Sequence, residues 1–312
     1  MISRVTCLAG GVGAARFLQG LRKVVPEENI TVIVNTCDDI ELYGLHISPD
    51  PDIILYTLAD IVDEEKGWGI KGDTFHCLEM LQKLGCDTWF KLGDRDLATH
   101  IYRTHLLKQG FPLTHVTENL CKMLGVKIRI LPMTDDKVET KIVTDMGAMH
   151  FQEYLVKRKA QDKAVKVMYE NIENAQPSKE VIESIMETDA VIICPSNPIV
   201  SIGTILSVKG IKEALTKTKA KIAAISPIVG GAPIKGPADK LMQGLGLEVS
   251  AYSVAYLYRD FLDVFIIDNK DKIEKQRIEA LGINVVITNT IMKTLEDKIH
   301  LAKTVLTSLE QL

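Results

Sequence analysis

The sequence has few cysteines and no long apolar run. Six cysteines occur among 312 residues, and none of them forms a C-x-x-C pair. This is too sparse for a disulfide-stapled domain, so we expect reduced thiols and no structural zinc. No apolar run approaches the roughly eighteen residues of a membrane span, and no export signal precedes the first glycine turn. These absences predict a soluble, cytoplasmic protein without a membrane partner.

An excess of positive charge is also missing, because the formal net charge is -4. Without a basic field, nucleic acid is not expected as a partner. Three catalytic signatures are absent: the G-x-x-x-x-G-K-[ST] loop of P-loop ATPases, the G-x-S-x-G elbow of serine hydrolases and the paired histidines of metalloproteases. The histidines are therefore expected to have packing or surface roles.

Short apolar stretches alternate with helical patterns, which is typical of βαβ units. We predict an α/β, Rossmann-like fold with a mainly parallel sheet and helices on both faces. The predicted strands are 5–8, 30–34, 126–131, 190–194, 221–225, 264–267 and 285–287. The predicted helices are 14–23, 53–62, 74–84, 97–108, 114–124 and 294–309. A single domain is expected over 1–312, with a middle insertion at about 132–175 that includes some antiparallel strands, and extended segments are expected at 89–92, 138–144 and 151–156.

A glycine turn follows the first predicted strand. Gly10, Gly11 and Gly13 would let the backbone approach a diphosphate, while the next helix offers its N-terminal N–H groups. The third glycine of the dinucleotide fingerprint is replaced by Arg16, which weakens a nicotinamide interpretation. A plain strand-to-helix turn is the alternative.

Four carboxylates follow the second predicted strand within fifteen residues: Asp38, Asp39, Asp50 and Asp52. Such a cluster is costly unless a cation neutralises it, and Mg²⁺ takes oxygen ligands that it shares with substrate phosphates. A helix cap near residue 53 would account for one of the four, but not for all. We therefore expect at least one of them to bind metal or substrate.

Three further loops follow extended segments. Residues 91–96 combine Lys91 with three charged residues, for which a surface ion-pair network is the better interpretation taken alone. Ser196 and Asn197 lie between two prolines that stiffen their loop. The stretch 226–240 contains a glycine pair and two lysines suited to phosphate. Because the carboxyl ends of parallel strands share one edge, we expect the glycine, aspartate, Pro-Ser-Asn and Gly-Lys loops to meet there.

With these motifs the chain resembles the CofD family of 2-phospho-L-lactate transferases, which includes the actinobacterial enzyme FbiA. The resemblance extends from the first strand to about residue 294. It is carried by eight ordered motifs: 10–16 (GGVGAAR), 34–39 (VNTCDD), 47–52 (ISPDPD), 91–96 (KLGDRD), 131–136 (LPMTDD), 195–198 (PSNP), 226–231 (SPIVGG) and 235–240 (KGPADK).

The resemblance implies transfer of a phospholactyl-type group from a guanosine diphosphate-linked donor to the deazaflavin Fo, with release of GMP and a requirement for Mg²⁺, in coenzyme F-420 biosynthesis. By position it places Fo contacts on Asp52 and Lys91. Asp50 is assigned to the metal, and Asp50 and Asp52 to catalysis. The donor nucleotide is assigned to Gly10, Gly11, Gly13, Ser196, Asn197, Gly230, Gly231, Lys235 and Asp239.

Two alternatives stay open at the level of sequence. A YvcK-like regulatory protein that binds nucleotide-sugars without catalysis would share the fold. A nicotinamide-dependent dehydrogenase is suggested by the glycine turn and Asp38. The sequence also leaves open a homodimer, the number of aspartates that bind metal, and whether the donor carries phospholactate, phosphoenolpyruvate or phosphoglycerate.

Overall fold

The computed structural model describes residues 2–312. Its strands are β1 Val5–Ala9, β2 Ile30–Val34, β3 Ile40–Leu42, β4 Leu45–Ile47, β5 Arg129–Pro132, β6 Glu139–Thr144, β7 Gly147–His150, β8 Ala164–Glu170, β9 Ala190–Ile193, β10 Lys221–Ile225, β11 Ile228–Val229, β12 Ala232–Pro233, β13 Val264–Asp268 and β14 Asn284–Thr288. Its α-helices are α1 Gly11–Leu21, α2 Pro49–Leu58, α3 His76–Lys83, α4 Asp94–Lys108, α5 Leu113–Met123, α6 Lys179–Met186, α7 Ile202–Ser207, α8 Ile211–Lys217, α9 Ala238–Gly244, α10 Ala251–Tyr258, α11 Lys275–Glu279 and α12 Leu295–Glu310.

Seven parallel strands form the central sheet in the order β14-β13-β10-β9-β1-β2-β5. Both faces are covered, so the central strands are apolar throughout, and all five residues of β1 are buried. Such continuous apolar runs are typical of parallel strands between two helical layers. The predicted fold class is confirmed.

The two faces of the sheet belong to two separate apolar clusters. Leu8 of β1 packs on one side with residues of α6, α8 and α10, whereas Cys7 packs on the other side with α1, α2 and α12. The crossing of α1 and α12 is tight, because a Cβ on Gly20 would lie 2.2 Å from the carbonyl oxygen of Lys298. α12 thereby holds the helix that carries the glycine turn.

The middle of the chain forms a small antiparallel sheet, β7-β6-β8, between Glu139 and Glu170. The predicted extended segment 151–156 is wrong: residues 151–152 are helical and Glu153–Lys157 forms a π-helical turn. Phe151 and Tyr154 are buried, with Leu155 packed beside them. Their i, i+3, i+4 spacing places all three side chains on one helical face, which packs on the core. Burial of this face favours a helix over the predicted extended segment.

Several other bounds differ from those predicted. α2 begins at Pro49 rather than near residue 53, so Asp50 and Asp52 lie inside its first turn instead of beside it. Pro at the first helical position is favourable because its missing N–H would have no partner there. Residues 89–92 form no strand. Over residues 2–312, no helix combines the length and apolar character needed to cross a membrane.

Candidate active site

The loops after β1 and β9 diverge at the carboxyl edge of the sheet, since the chain continues from β1 to β2 on one side and from β9 to β10 on the other. Open α/β sheets bind ligands in the crevice at such a switch point. The N–H of Gly10 donates to Ser196 Oγ at 3.1 Å and joins the two loops. Gly13 packs so closely on the second loop that a Cβ would lie 2.2 Å from the carbonyl oxygen of Pro195.

Asp50 lies directly beside the glycine turn. A Cβ on Gly10 would lie 2.7 Å from Asp50 Oδ2 and 2.6 Å from Ser201 Cβ, so a side chain there would force a shift. Gly11 has a φ of +70° and its N–H donates to Asp50. Burial raises the pKa of Asp50 to about 7, against the hydrogen bond from Asn35 Nδ2 at 2.9 Å. Asp50 therefore titrates near neutrality at the switch point.

Asn35 connects three elements around Asp50. It follows β2 and is fully buried. While its Nδ2 donates to Asp50, its Oδ1 accepts from the N–H of Cys37 at 3.0 Å and from Thr204 Oγ1, on α7, at 2.8 Å. Sequence reasoning gave Asn35 no role, although an amide directly after a buried strand and beside an acid cluster was the available signal. The amide thereby ties Asp50 to the backbone after β2 and to α7.

Asp38 and Asp39 each have one carboxylate oxygen that accepts no hydrogen bond. Asp39 Oδ2 accepts from His46 Nε2 at 2.7 Å and Ser48 Oγ at 2.6 Å, but Oδ1 of Asp39 and Oδ1 of Asp38 are buried and have no hydrogen-bond partner. Burial and the charge of Asp50 raise the pKa of Asp38 well above its ordinary value. Orphaned buried carboxylate oxygens are the atoms that a hard cation neutralises.

A complete metal cage is not present in the described chain: no three His, Cys, Asp or Glu side chains are grouped to hold an ion. Mg²⁺ seldom needs such a cage, since it commonly takes one or two carboxylates and fills its octahedron with water and substrate phosphate. One or two carboxylates from among Asp38, Asp39 and Asp50 therefore fit a Mg²⁺ ion that would complete its shell with water and a phosphate-bearing ligand.

Asp52 faces α4. It forms a bidentate pair with Arg103, whose Nη1 lies 3.1 Å from Asp52 Oδ2, and His100 Nδ1 lies 3.6 Å from the same oxygen. Arg103 is 1% exposed. Burial raises the pKa of Asp52, while the charge of Arg103 opposes that rise. The pair fixes the orientation of Asp52 and anchors the first turn of α2. No sequence motif marked Arg103, which lies in the middle of a helix.

The Gly-Lys loop reaches the glycine turn through its lysine. Lys235 Nζ donates to the carbonyl oxygen of Lys66 at 3.4 Å. Gly67 has a φ of +71°, and a Cβ there would lie 2.6 Å from Lys235 Nζ and 3.8 Å from Val12 Cγ1. The amine therefore lies next to the segment at Lys66 and Gly67, which approaches Val12 in the first turn of α1.

Gly230 and Gly231 form the tip of the β11–β12 hairpin with φ values of +60° and +78°. The N–H of Gly230 donates to both carboxylate oxygens of Asp271, at 2.9 and 3.1 Å. Asp271 follows β13, so the hairpin is tied to the same edge of the sheet as the glycine turn.

Lys91 lines a cavity of about 380 Å³ together with Trp68, Phe75 and Leu78. The rings of Trp68 and Phe75 meet edge to face with centroids 6.4 Å apart. Lys66 Nζ lies 5.8 and 5.7 Å from the two ring centroids. An apolar, aromatic cavity with cations at its margin can take a planar ring that carries polar groups. Sequence reasoning missed Trp68 and Phe75.

The surface ion-pair network expected at 91–96 is wrong. Asp94 accepts from the backbone N–H groups of His76 and Cys77 and so caps α3. Asp73 in return accepts from the N–H groups of Arg95 and Asp96 at the start of α4. These half-buried carboxylates stabilise helix starts, because the first N–H groups of a helix lack internal partners.

Two predicted donor residues make local contacts instead of joining the turn. Asn197 Oδ1 accepts from the N–H groups of Ile199 and Val200, which shapes its own loop. Asp239 lies in the first turn of α9, and its charge contributes to raising the pKa of Tyr154 in the middle segment, after the larger effect of burial. Among residues 2–312, no hydrogen bond links Asp239 to the glycine turn.

Known proteins resemble this chain over nearly its whole length. The family model described as 2-phospho-L-lactate transferase CofD matches residues 5–300. A 2-phospho-L-lactate transferase of Methanocaldococcus jannaschii is 45% identical over 98% of each chain. A phosphoenolpyruvate transferase of Streptomyces coelicolor is 44% identical over 99% of this chain and 98% of its own.

Among solved structures, a member of the UPF0052 family from Bacillus halodurans superposes with a TM-score of 0.66 at 17% identity, covering 97% of this chain and 99% of its own. At that identity the likeness concerns the fold alone.

Proposed function

The chain belongs to the 2-phospho-L-lactate transferase CofD family, and on that premise we propose that it transfers a phospholactyl-type group, 2-phospho-L-lactate or phosphoenolpyruvate, from a guanosine diphosphate-linked donor to the deazaflavin Fo. GMP is the leaving group, and the reaction belongs to coenzyme F-420 biosynthesis. The observation that carries the proposal is the contact of Gly10 with both Asp50 and Ser196, beside two orphaned carboxylate oxygens.

The donor diphosphate binds at the glycine turn. Gly10, Gly11 and Gly13 allow close backbone approach, and the N-terminus of α1 favours negative charge. Ser196 holds the turn from the second loop, and the hairpin of Gly230 and Gly231 lies at the same edge.

Asp50 would hold Mg²⁺, and the unpartnered Oδ1 atoms of Asp38 and Asp39 are further candidate ligands. The bound ion would neutralise charge on the diphosphate and on departing GMP. Asn35 and the N–H of Gly11 both donate to Asp50 and so orient its carboxylate.

The acceptor Fo binds in the cavity at Lys91, with its ring system against Trp68 and Phe75. Asp52 orients the acceptor hydroxyl and accepts its proton. Its pairing with Arg103 holds it in place, and each carboxylate oxygen retains a second lone pair. Burial raises the pKa of Asp52, and a higher pKa makes its carboxylate a stronger base, as a general base requires.

The test is GMP release by purified protein given Fo and each of three donors, in which guanosine diphosphate carries phospholactate-, phosphoenolpyruvate- or phosphoglycerate-type acids. We expect GMP only when Fo and Mg²⁺ are both present, and mass spectrometry of the product identifies the preferred acid. Asp50→Asn and Asp52→Asn should each lose about 100-fold or more in kcat. Lys217→Gln, an exposed change on α8, is the matched control and should keep full activity.

Activity of Asp50→Asn or Asp52→Asn within a few-fold of the parent would remove that residue from the mechanism. No GMP with any donor would reject the transferase itself. A nucleotide-sugar sensor is not favoured, because the relatives at 41–45% identity carry transferase names. Fluorescence titration with Fo distinguishes the two functions independently, because a nucleotide-sugar sensor should not bind Fo at micromolar protein concentration.

A further inference from the structure

Two cations, Arg16 and Lys235, lie near the first two turns of α1. Val12 and Arg16 are four residues apart on α1 and therefore lie on one face of that helix. The position of a Cβ on Gly67 is in contact with both Val12 and the amine of Lys235. The amine thus lies beside Val12, whereas Asp50 lies beside Gly10 and Gly11.

Neither cation is neutralised by a carboxylate within residues 2–312. Arg22, Arg103 and Arg277 each pair with an acid, but Arg16 has no such partner in this part of the chain. The contact of Lys235 Nζ is the carbonyl oxygen of Lys66. Burial and the charge of Arg16 lower the pKa of Lys235, which agrees with two like charges held close together. Both cations of the pair are therefore without a carboxylate at salt-bridge distance among the described residues.

The location of the pair indicates which anion it takes. Lys66, whose carbonyl oxygen accepts from Lys235, places its own amine over Trp68 and Phe75 of the aromatic cavity. The cation pair thus lies between the glycine turn and that cavity. If the donor diphosphate occupies the turn and the acceptor occupies the cavity, the group in transit must pass between them.

We infer that Arg16 and Lys235 bind the carboxylate of the transferred acid, and so restrict the donor to guanosine diphosphate-linked acids that keep this group. The assignment rests on the proposed function. A planar guanidinium suits a carboxylate through two parallel hydrogen bonds, and the mobile ammonium adds a point charge. The carboxylate is common to phospholactate, phosphoenolpyruvate and phosphoglycerate, so the pair would select acids as a class.

The experiment compares kcat/KM for the acid donor and for a donor whose carboxylate is replaced by a carboxamide. A charge-assisted contact of this kind is worth about 10- to 100-fold. The wild type should lose that factor on the amide donor. On the acid donor, Arg16→Gln and Lys235→Gln should each lower kcat/KM by this same factor relative to the wild type. On the amide donor, the kcat/KM of each variant should stay within about three-fold of the wild-type value. Arg16→Lys should restore part of the loss.

Two controls separate this role from a structural or diphosphate-binding one. Arg129→Gln and Lys217→Gln, exposed changes away from the turn, should behave as wild type with both donors. Calorimetric affinity for GDP should stay within about three-fold in Arg16→Gln and Lys235→Gln, since Gln keeps the helix and the diphosphate site intact.

The assignment would be overturned if Arg16→Gln and Lys235→Gln lost equal factors of kcat/KM on the acid and amide donors, or if their affinity for GDP fell by a matching factor. Neither result would reject the proposed transferase activity. A wild type that turns over neither donor would overturn the proposed function, and the assignment with it.

Discussion

The buried pair of Asp52 and Arg103 yields the sharpest stability prediction. Replacing Arg103 with Met keeps most of the side-chain volume and removes the charge. It leaves Asp52, which is 5% exposed, as an uncompensated carboxylate inside the protein. Removing one partner of such a pair typically costs 3–5 kcal/mol, a large part of a total stability of about 5–15 kcal/mol.

The structure supports the upper half of that range. Arg103 is 1% exposed, and it also donates to the carbonyl oxygen of His46 and contacts His100 Nδ1 at 3.2 Å. Truncation therefore leaves further acceptors without a donor. We expect Arg103→Met to lower the free energy of unfolding by about 4 kcal/mol.

The assay is urea unfolding followed by circular dichroism, with a double-mutant cycle through Asp52→Leu. In the double variant no charge is left unpaired, so it should be more stable than Arg103→Met by at least about 2 kcal/mol. A loss below about 1 kcal/mol in Arg103→Met, or simple additivity in the double variant, would refute the view that the pair is desolvated and coupled.

Three further outcomes are expected. Gly13→Ala should lose about 1–3 kcal/mol and most of the transferase activity, because the new Cβ would meet the Pro195 carbonyl oxygen; unchanged unfolding would contradict that close contact. Burial lowers the pKa of His150 from 6.5, so the unfolded chain binds its proton more readily and stability should fall as pH drops through 6.5; His150→Gln should flatten this slope in unfolding curves between pH 7 and 5. Lys91→Met should raise the KM for Fo about 3- to 10-fold with the donor KM unchanged, and a change in the donor KM alone would place Lys91 elsewhere.

The sheet was largely predictable from the sequence. Its strands are short apolar runs, and the bounds of β2 and β10 agree with the prediction to the residue. Burial on both faces makes such runs conspicuous. The start of α2 was missed because its first turn contains two prolines and two aspartates, which read as a loop although each is favourable at a helix N-terminus.

The candidate site was predictable as a set of loops, but its internal pairing was not. Parallel topology brings the glycine turn, Asp50 and Ser196 to one edge, and the structure places them in contact. That Asp52 turns to Arg103 depends on how α2 packs on α4, about fifty residues along the chain, and no local pattern encodes it. The aromatic cavity likewise depends on tertiary packing of exposed segments.

The strand order has a consequence for synthesis. β1 occupies an interior position of the sheet, and Val5 pairs with Ala190 on one side as well as with Ile30 on the other. At ribosomal speeds of about 5–20 residues per second, one edge of this earliest strand waits on the order of ten to forty seconds for its neighbour. During that interval an apolar edge stays open to aggregation, and a nascent chain of this kind is a natural client for chaperones.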